Sequence, residues 1–222
     1  MQLPTHNVHE KAVRIAAGSA LLDGTLAIPP KVHGIVLFAH GSGSSRHSPR
    51  NRYVASVLQH AGIATLLMDL LTADEEDIDR LTRQIRFDIN LLASRLVGAT
   101  DWLLTTPETK GLSIGYFGAS TGSAAALIAA TKRSEVVKAI VSRGGRPDLA
   151  SQAPTQVEAP TLLIVGGGDF PCIGLNEDAL NMLNRASAKH LAIVPRATHL
   201  FEEPGTLEQV AALACQWFQA YL

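Results

Sequence analysis

Gly118-Ala119-Ser120-Thr121-Gly122 lies between an apolar run, Leu112 to Phe117, and an alanine-rich stretch, Ala124 to Ala130. The pattern predicts a strand, a sharp turn and a helix, which is the setting in which Gly-x-Ser-x-Gly forms a nucleophile elbow. The serine of such a turn has a strained backbone, and a side chain two residues before or after it would collide with the neighbouring strand or helix. Ser120 is therefore the first candidate nucleophile, although the five-residue pattern by itself also arises by chance in ordinary turns.

Apolar runs bounded by turn residues alternate with helical patterns along the rest of the chain. Runs such as Ile35 to Phe38 and Leu162 to Val165 are hydrophobic without alternation, which is typical of strands covered on both faces. The alternation predicts an α/β fold with a mostly parallel, twisted sheet of eight strands and helices on both faces. Only Gly18-Ser19-Ala20 separates the first two strands, so we expect an antiparallel hairpin at one edge. The predicted strands are Val13 to Ala17, Leu21 to Ile28, Gly34 to Ala39, Ile63 to Met68, Ser113 to Phe117, Ala139 to Ser142, Thr161 to Val165 and Leu191 to Val194.

The helical patterns fall between these strands. One long helix, about Glu75 to Leu104, accounts for the segment between the fourth and fifth strands, so we expect no large cap domain and an open or shallow site. Its charged residues, Arg80, Arg83, Arg86 and Arg95 among Asp77, Asp79 and Asp88, are expected to form a solvated face with local ion pairs. The other predicted helices are Pro49 to Ala61, Ser120 to Lys132, Glu177 to Ala186 and Thr206 to Leu222.

Length and composition limit the classes of protein to consider. The 222 residues, 46% hydrophobic and 18% charged, predict a single domain spanning 1–222. A net charge of -1 argues against a nucleic-acid partner. Because Met1 to Glu10 is polar and no apolar run approaches about 20 residues, we expect no membrane partner and a cytoplasmic location. Cys172 and Cys215 are expected to be ordinary reduced thiols without metal spacing.

Reactive side chains follow several predicted strands, at the sheet edge where open α/β sheets collect them. Ser120 follows the fifth strand, Asp169 the seventh and His199 the eighth. A serine hydroxyl needs a base to take its proton, and imidazole has a suitable pKa. A carboxylate must then fix the imidazole tautomer and stabilise the imidazolium. Ser120, Asp169 and His199, in this order along the chain, are therefore the predicted catalytic triad.

Other side chains compete for these roles. Asp148, after the sixth strand, is the rival acid. Glu202 and Glu203 are weaker candidates because they sit beside the histidine and are expected to begin a helix. Structural roles are expected for His40, His190 and Asp69.

The loop after the third strand, His40 to Arg46, is expected to help stabilise a developing oxyanion. One donor should be the backbone N–H of Thr121, and the second the N–H of Ser42, with Gly43 as the next choice. The loop also begins like a dinucleotide fingerprint, but Arg46 occupies the third glycine position and no P-loop lysine follows. We therefore expect no nucleotide, metal or other cofactor.

Together these motifs resemble the α/β-hydrolase superfamily and, within it, the small dienelactone hydrolase-like branch that lacks a cap. The resemblance covers nearly the whole chain: the opening hairpin, His40-Gly41-Ser42-Gly43-Ser44-Ser45-Arg46, Gly118 to Gly122, and the Asp169 and His199 loops. It implies the hydrolase fold and triad. Dienelactone hydrolases proper have a cysteine at the position of Ser120, so the dienelactone substrate is not implied. Some relatives in a similar subgroup occur beside or fused to a phosphoribosyltransferase-like domain.

Four arginines, Arg46, Arg50, Arg143 and Arg146, fall in or near the glycine-rich loops. They could line the mouth of the site and bind an acidic substrate, with Arg46 and Arg143 as the named candidates. They could equally tie the loops to carbonyls and to carboxylates such as Asp148, since the guanidinium suits either task.

The sequence as a whole predicts a serine hydrolase that cleaves carboxylic esters or related acyl compounds through an acyl-enzyme. A thioesterase or a peptidase would use the same triad. A binding or scaffold protein with a hydrolase fold and no activity is the alternative from another class, because a fold alone does not establish activity.

Overall fold

The apolar runs form eight strands in a computed structural model, which describes residues 8 to 222; residues 1 to 7 of the predicted polar segment Met1 to Glu10 lie outside that range. The strands pair in the order β1-β2-β4-β3-β5-β6-β7-β8. β1 pairs antiparallel with β2, and β2 antiparallel with β4, whereas the remaining pairs are parallel. The predicted eight-stranded, mostly parallel sheet with its N-terminal hairpin is thus confirmed. The strands are β1 (His9–Ala17), β2 (Ala20–Ile28), β3 (Gly34–Ala39), β4 (Ile63–Met68), β5 (Ser113–Ala119), β6 (Val137–Arg143), β7 (Thr161–Gly166) and β8 (Lys189–Val194).

Six α-helices accompany the sheet in the described part of the chain. No large cap domain covers these residues, as predicted. None of these helices is long and apolar enough to cross a membrane. The helices are α1 (Pro49–His60), α2 (Ala73–Thr82), α3 (Ile89–Thr105), α4 (Thr121–Lys132), α5 (Phe170–Met182) and α6 (Thr206–Tyr221).

Alternate residues of the central strands enter two separate hydrophobic layers. In β3, Ile35 and Leu37 pack on the side of α3 and α4, whereas Val36 and Phe38 pack on the side of α1 and α6. Both faces of the strand are therefore covered, which explains its unbroken hydrophobic run. This arrangement leaves the ends of the parallel strands as the place where polar side chains collect.

The predicted long helix is wrong. The chain between β4 and β5 forms α2, a short 3-10 helix over Ile85–Phe87, and α3. Arg83 adopts a left-handed conformation, with φ at 55°, and ends α2. Asp88 then starts α3 by accepting a hydrogen bond from the backbone N–H of Leu91 at 3.0 Å. The break arises from this local capping chemistry, which a continuous helical periodicity does not reveal.

The expected solvated face on this segment is also only partly correct. Asp79 is 1% exposed and binds Arg86 Nε at 2.5 Å. Arg95 is 7% exposed and binds Glu75 at 2.5 Å. Each of these ion pairs has one buried and one partly buried partner, because the segment folds back at the break and does not continue as one solvent-facing helix.

Helix α5 begins earlier than predicted, at Phe170 instead of Glu177, and ends at Met182 instead of Ala186. Asp169 is its N-cap residue, and Pro171 occupies the first turn, where a missing N–H costs nothing. The segment Gly166 to Gly174 contains four glycines together with Pro171. Because these residues are also typical of loops, the sequence did not reveal that the helix begins here. This start places the Asp169 carboxylate at the N-terminus of a helix, where negative charge is favoured.

Candidate active site

Ser120 lies at the turn between β5 and α4, with φ at 50° and ψ at -120°. A non-glycine residue with positive φ is strained, and such strain is characteristic of functional turns. The two flanking glycines are required by space. A Cβ on Gly118 would stand 2.4 Å from the Cα of Ser123, and one on Gly122 would stand 2.3 Å from the carbonyl oxygen of Ala39. The backbone therefore exposes Ser120 in a tightly packed turn, as the spacing of the glycines predicts.

Three predicted side chains meet at this turn. His199 Nε2 lies 3.2 Å from the Oγ of Ser120, and His199 Nδ1 lies 2.7 Å from the Oδ2 of Asp169. The Asp169 carboxylate is largely buried, whereas the His199 ring is about one-third exposed, at 37%. A hydrogen-bonded chain of hydroxyl, imidazole and carboxylate is the geometry by which a serine loses its proton to a histidine whose tautomer is fixed.

The loops that hold these side chains are tied to one another. The backbone N–H of Gly168, beside Asp169, donates to the carbonyl of Ala197 at 2.8 Å, near His199. Gly144, with φ at 52°, lies against His199 as well, since a Cβ there would stand 3.1 Å from the His199 carbonyl oxygen. The ends of β6, β7 and β8 therefore fix the position of the imidazole together.

The rival acids have other partners. Asp148 binds the guanidinium of Arg146 at 2.7 and 2.8 Å. Glu203 accepts hydrogen bonds from the backbone N–H and the hydroxyl of Thr198, at 3.0 and 2.6 Å. Glu202 binds Arg50 at 3.2 Å. Asp169 is thus the carboxylate that contacts His199. Helix α6 begins at Thr206, the predicted first residue of the last helix, and not at Glu202 or Glu203.

His40 holds the loop after β3 in place. Its Nδ1 bonds the carbonyl of Gly41 at 2.9 Å, and its Nε2 accepts the backbone N–H of Leu70 at 3.1 Å. This pair of contacts requires a neutral ring with the proton on Nδ1. Burial lowers the pKa of His40 below its ordinary value, although the Gly41 carbonyl and the carboxylates of Asp69 and Glu76 partly oppose the shift.

The two predicted oxyanion donors lie side by side. Thr121 is the first residue of α4, so its backbone N–H has no acceptor within the helix. The backbone N–H of Ser42 donates to the Oγ1 of Thr121 at 2.9 Å. A Cβ on Gly41 would stand 3.1 Å from the Cβ of Ser120, so this loop borders the serine directly.

Three of the four arginines near the glycine-rich loops are paired with carboxylates, among them Arg50, which binds Glu202 at 3.2 Å. Arg46 is tied to Asp69 through both its backbone N–H and its guanidinium, so Asp69 has the structural role expected of it. Arg146 is tied to Asp148. Arg143 is different: among residues 8 to 222, its side chain makes one hydrogen bond, from Nη2 to the Oδ1 of Asn51 at 3.4 Å.

Cys172 is a neighbour of the site that sequence reasoning missed. Its Sγ lies 3.7 Å from the Nδ1 of His199, and burial raises the pKa of the thiol to about 12, with the Asp169 carboxylate adding to the shift. Cys172 follows Asp169 by three residues and lies in the first turn of α5. This spacing in the sequence could have indicated that the thiol lies near the predicted acid. Within residues 8 to 222, Asp169, Cys172 and His199 are the one group whose ligand atoms lie close enough to share a metal ion.

A cavity of about 610 Å³ lies beside the loop after β3. Arg46, His40 and Asp69 line it together with residues from the start of α2. It borders the loop that carries Ser42 and offers room next to the site for part of a polar molecule.

Comparisons with known proteins bear on the family and the fold of this chain. The model of the family described as "Dienelactone hydrolase family" matches residues 22–222. A dienelactone hydrolase from Anabaena variabilis, known from its crystal structure, is 64% identical, with a TM-score of 0.95, and the match covers 98% of this chain and 100% of that one. The structure of Est1E from Butyrivibrio proteoclasticus is 15% identical with a TM-score of 0.77, covers 94% of this chain and 98% of that chain, and shows a likeness of fold alone.

Two Mycobacterium tuberculosis proteins, from strains CDC 1551 and H37Rv, are each 56% identical over 215 residues. Both bear the name "Putative phosphoribosyl transferase". The match covers 97% of this chain and 47% of the length of each relative, so the chain spans about half of those proteins.

Proposed function

Because this chain belongs to the dienelactone hydrolase family, we propose that it is a serine hydrolase that cleaves carboxylic esters or related acyl compounds through an acyl-enzyme. The observation that carries the proposal is the hydrogen-bonded chain from Ser120 through His199 to Asp169. Nucleophile, base and orienting carboxylate stand in the relation that acyl transfer requires. We assign the transferase activity named for the mycobacterial relatives to the half of those proteins that this chain does not span.

In acylation, the Oγ of Ser120 attacks the acyl carbon and its proton passes to the Nε2 of His199. The resulting imidazolium is stabilised by the Asp169 carboxylate at Nδ1, 2.7 Å away. When the tetrahedral intermediate collapses, the bond to the leaving group breaks and Nε2 returns the proton to the departing oxygen. The products of this half-reaction are the free alcohol and an ester on Ser120.

In deacylation, His199 removes a proton from a water molecule, whose oxygen attacks the same acyl carbon. The second intermediate releases the carboxylic acid and restores the hydroxyl of Ser120. In both halves the negative oxygen is stabilised by the N–H of Thr121, at the positive end of α4, and by the N–H of Ser42. The N–H of Ser42 donates to the Oγ1 of Thr121 in this structure. During the reaction it must either turn toward the oxyanion or share its hydrogen bond between the oxyanion and Thr121 Oγ1.

A fluorophosphonate probe and a panel of 4-nitrophenyl esters test the proposal. The wild type should be labelled and should release nitrophenolate, and Ser120→Ala should do neither. Ser56→Ala is the matched control, because Ser56 is a half-buried serine on α1 whose hydroxyl donates to the carbonyl of Tyr53 at 2.8 Å.

A wild type that is folded by circular dichroism, yet neither reacts with the probe nor cleaves any ester, would contradict the hydrolase proposal and favour the scaffold alternative. Thioester and peptide substrates of the same acyl groups belong in the panel, since the same residues would act on them. The relative kcat/KM values decide which bond the enzyme cleaves.

A further inference from the structure

Cys172 adds a third metal-binding side chain to the pair formed by His199 and Asp169. Its Sγ lies 3.7 Å from the Nδ1 of His199, and the same Nδ1 lies 2.7 Å from the Oδ2 of Asp169. One ligand atom of each residue lies within 4.8 Å of the other two, and among residues 8 to 222 no other group of three such side chains does so. His199 follows Cys172 by 27 positions, so the spacing of the two cysteines in the sequence does not reveal the cluster.

The donor atoms and their spacing suit a cation such as Zn²⁺. A thiolate sulfur, an imidazole nitrogen and a carboxylate oxygen are the protein atoms that bind zinc. With bonds of about 2.3 Å to sulfur and about 2.0 Å to nitrogen and oxygen, a tetrahedral ion holds sulfur about 3.5 Å from nitrogen, and nitrogen about 3.3 Å from oxygen. The contact between Cys172 and His199 is close to the first of these distances. The Oδ2 of Asp169 must move away from Nδ1 by about 0.6 Å to reach the second.

The fold holds two of the ligands in place and leaves the third able to turn. Asp169 and Cys172 are both buried, at the N-cap and in the first turn of α5. The side chain of His199 is 37% exposed and lies on the loop after β8, so its ring can turn outward to admit an ion. A water molecule would complete the coordination, as in zinc sites with three protein ligands.

An ion bound to Nδ1 would prevent His199 from acting as the base for Ser120. In the hydrolytic mechanism Nδ1 carries the proton donated to Asp169, and Nε2 accepts the proton of the Ser120 hydroxyl. Metal binding requires the lone pair of Nδ1, so the imidazole proton must move to Nε2. The Cys172 thiol releases its proton to solvent, since a coordinating thiol is deprotonated by the metal. Nε2 then donates a hydrogen bond and cannot accept a proton.

We propose that Cys172, His199 and Asp169 form an inhibitory site for Zn²⁺ or a cation of similar chemistry, such as Cd²⁺. The inhibition rests on the proposed hydrolase function, whereas the binding of the ion does not. The ion is a reversible inhibitor and supplies no chemistry to the reaction. Cys172 thereby gains a role that acyl transfer through Ser120 does not require of it.

Calorimetric titration with zinc chloride measures binding without any reaction. The wild type should bind one Zn²⁺ per chain at this site, and Ser120→Ala, which keeps all three ligands, should bind it equally well. Cys172→Ser should weaken the binding by more than about 10- to 100-fold, the loss typical of removing only a residue that supports a metal ligand. Mg²⁺ should not compete, because it prefers oxygen ligands.

Cys215→Ser is the matched control for the titration. Cys215 is the other cysteine of the chain, lies on α6 and belongs to no cluster of metal-binding side chains within residues 8 to 222. The variant should bind Zn²⁺ with the affinity of the wild type. A wild type that binds no Zn²⁺, or binds it no more tightly than a Cys172→Ser variant that is folded by circular dichroism, would overturn the proposal.

A second measurement is available if neither Cys172→Ser nor Cys172→Ala folds. Wild type and Cys215→Ser titrated with Co²⁺ should both develop the near-ultraviolet absorption of a thiolate bound to cobalt. Absence of this band from the wild type, or its loss in Cys215→Ser, would show that the Cys172 thiol does not bind the metal.

Hydrolysis of one nitrophenyl ester tests the inhibition, with each protein compared with its own rate in EDTA. Zn²⁺ should inhibit the wild type and Cys215→Ser at the concentrations that fill the site, and EDTA should restore the rate. In Cys172→Ser the concentration for half-inhibition should rise by more than about tenfold. A wild type that binds Zn²⁺ and keeps its full rate would refute the inhibitory site. Failure of the wild type in EDTA on every ester would instead count against the hydrolase proposal, while the titration would still decide metal binding.

Discussion

Gly122 approaches Ala39 so closely that a Cβ on Gly122 would stand 2.3 Å from the Ala39 carbonyl oxygen. The contact joins the first turn of α4 to the end of β3. It thereby fixes the serine turn relative to the loop that carries Ser42, and no side chain can be inserted between them without moving one of the two.

Gly122→Ala should therefore destabilise the protein by about 3 kcal/mol, the upper part of the range for overpacking a tight contact. Urea unfolding monitored by circular dichroism measures the change. Gly174→Ala is the control, because Gly174 lies within α5 and nothing stands within 4 Å of its added Cβ. That variant should be about 0.5–1 kcal/mol more stable than wild type, from the better helix propensity of alanine. Equal stability of the two variants would show that the contact at Gly122 is looser than described.

Asp169→Asn should lower kcat about 10⁴-fold, because the amide would favour the wrong imidazole tautomer and could not stabilise the imidazolium. Asp148→Asn should stay within about a fewfold of wild type, since Asp148 binds Arg146 on the surface and such pairs contribute little. Steady-state rates on one nitrophenyl ester compare the two variants. The opposite ranking, with Asp148→Asn inactive, would reassign the acid of the triad.

His40 should make stability depend on pH. The fold holds its ring neutral and lowers its pKa, so below about pH 6.5 the unfolded chain binds more protons than the folded chain. The contribution of the neutral His40 ring to the free energy of unfolding is fully present above about pH 6.5. It is lost as the pH falls toward the lowered pKa of His40 in the folded state.

Urea unfolding of wild type and His40→Gln at pH 8, 7, 6 and 5 measures this effect. The stability difference between them should be largest at pH 8 and should shrink toward pH 5. A difference that does not vary with pH would mean that His40 does not change its protonation on unfolding in this range.

Neither cysteine should react readily in the folded protein. Burial raises the pKa of Cys172 to about 12 and also raises that of Cys215, so little thiolate is present at pH 8. Ellman's reagent should label the two thiols slowly in buffer and quickly in denaturant. Iodoacetamide should leave ester hydrolysis intact over the same period. Rapid alkylation of Cys172 with loss of activity would instead show that this thiol is exposed and essential.

Much of the fold could be predicted because its signals are local. β3 and β4 have the predicted bounds, since an unbroken apolar run between turn residues defines a buried strand. The break after α2 could not be predicted, because Arg83 and the contact between Asp79 and Arg86 interrupt a pattern that remains helical in periodicity. The start of α5 was hidden by glycines and a proline that also suit a loop.

The amino-acid sequence by itself determined the eight strands and their order along the chain, and it named Ser120, Asp169 and His199 as candidates because each follows a recognisable strand. The tertiary structure alone decided which carboxylate contacts His199, placed Cys172 beside it, and separated Arg143 from the other arginines. Arg46 meets Asp69 across 23 positions of the chain, whereas no acid reaches Arg143 within residues 8 to 222. Such pairings depend on distances between side chains that are remote in sequence, and the folded packing sets those distances.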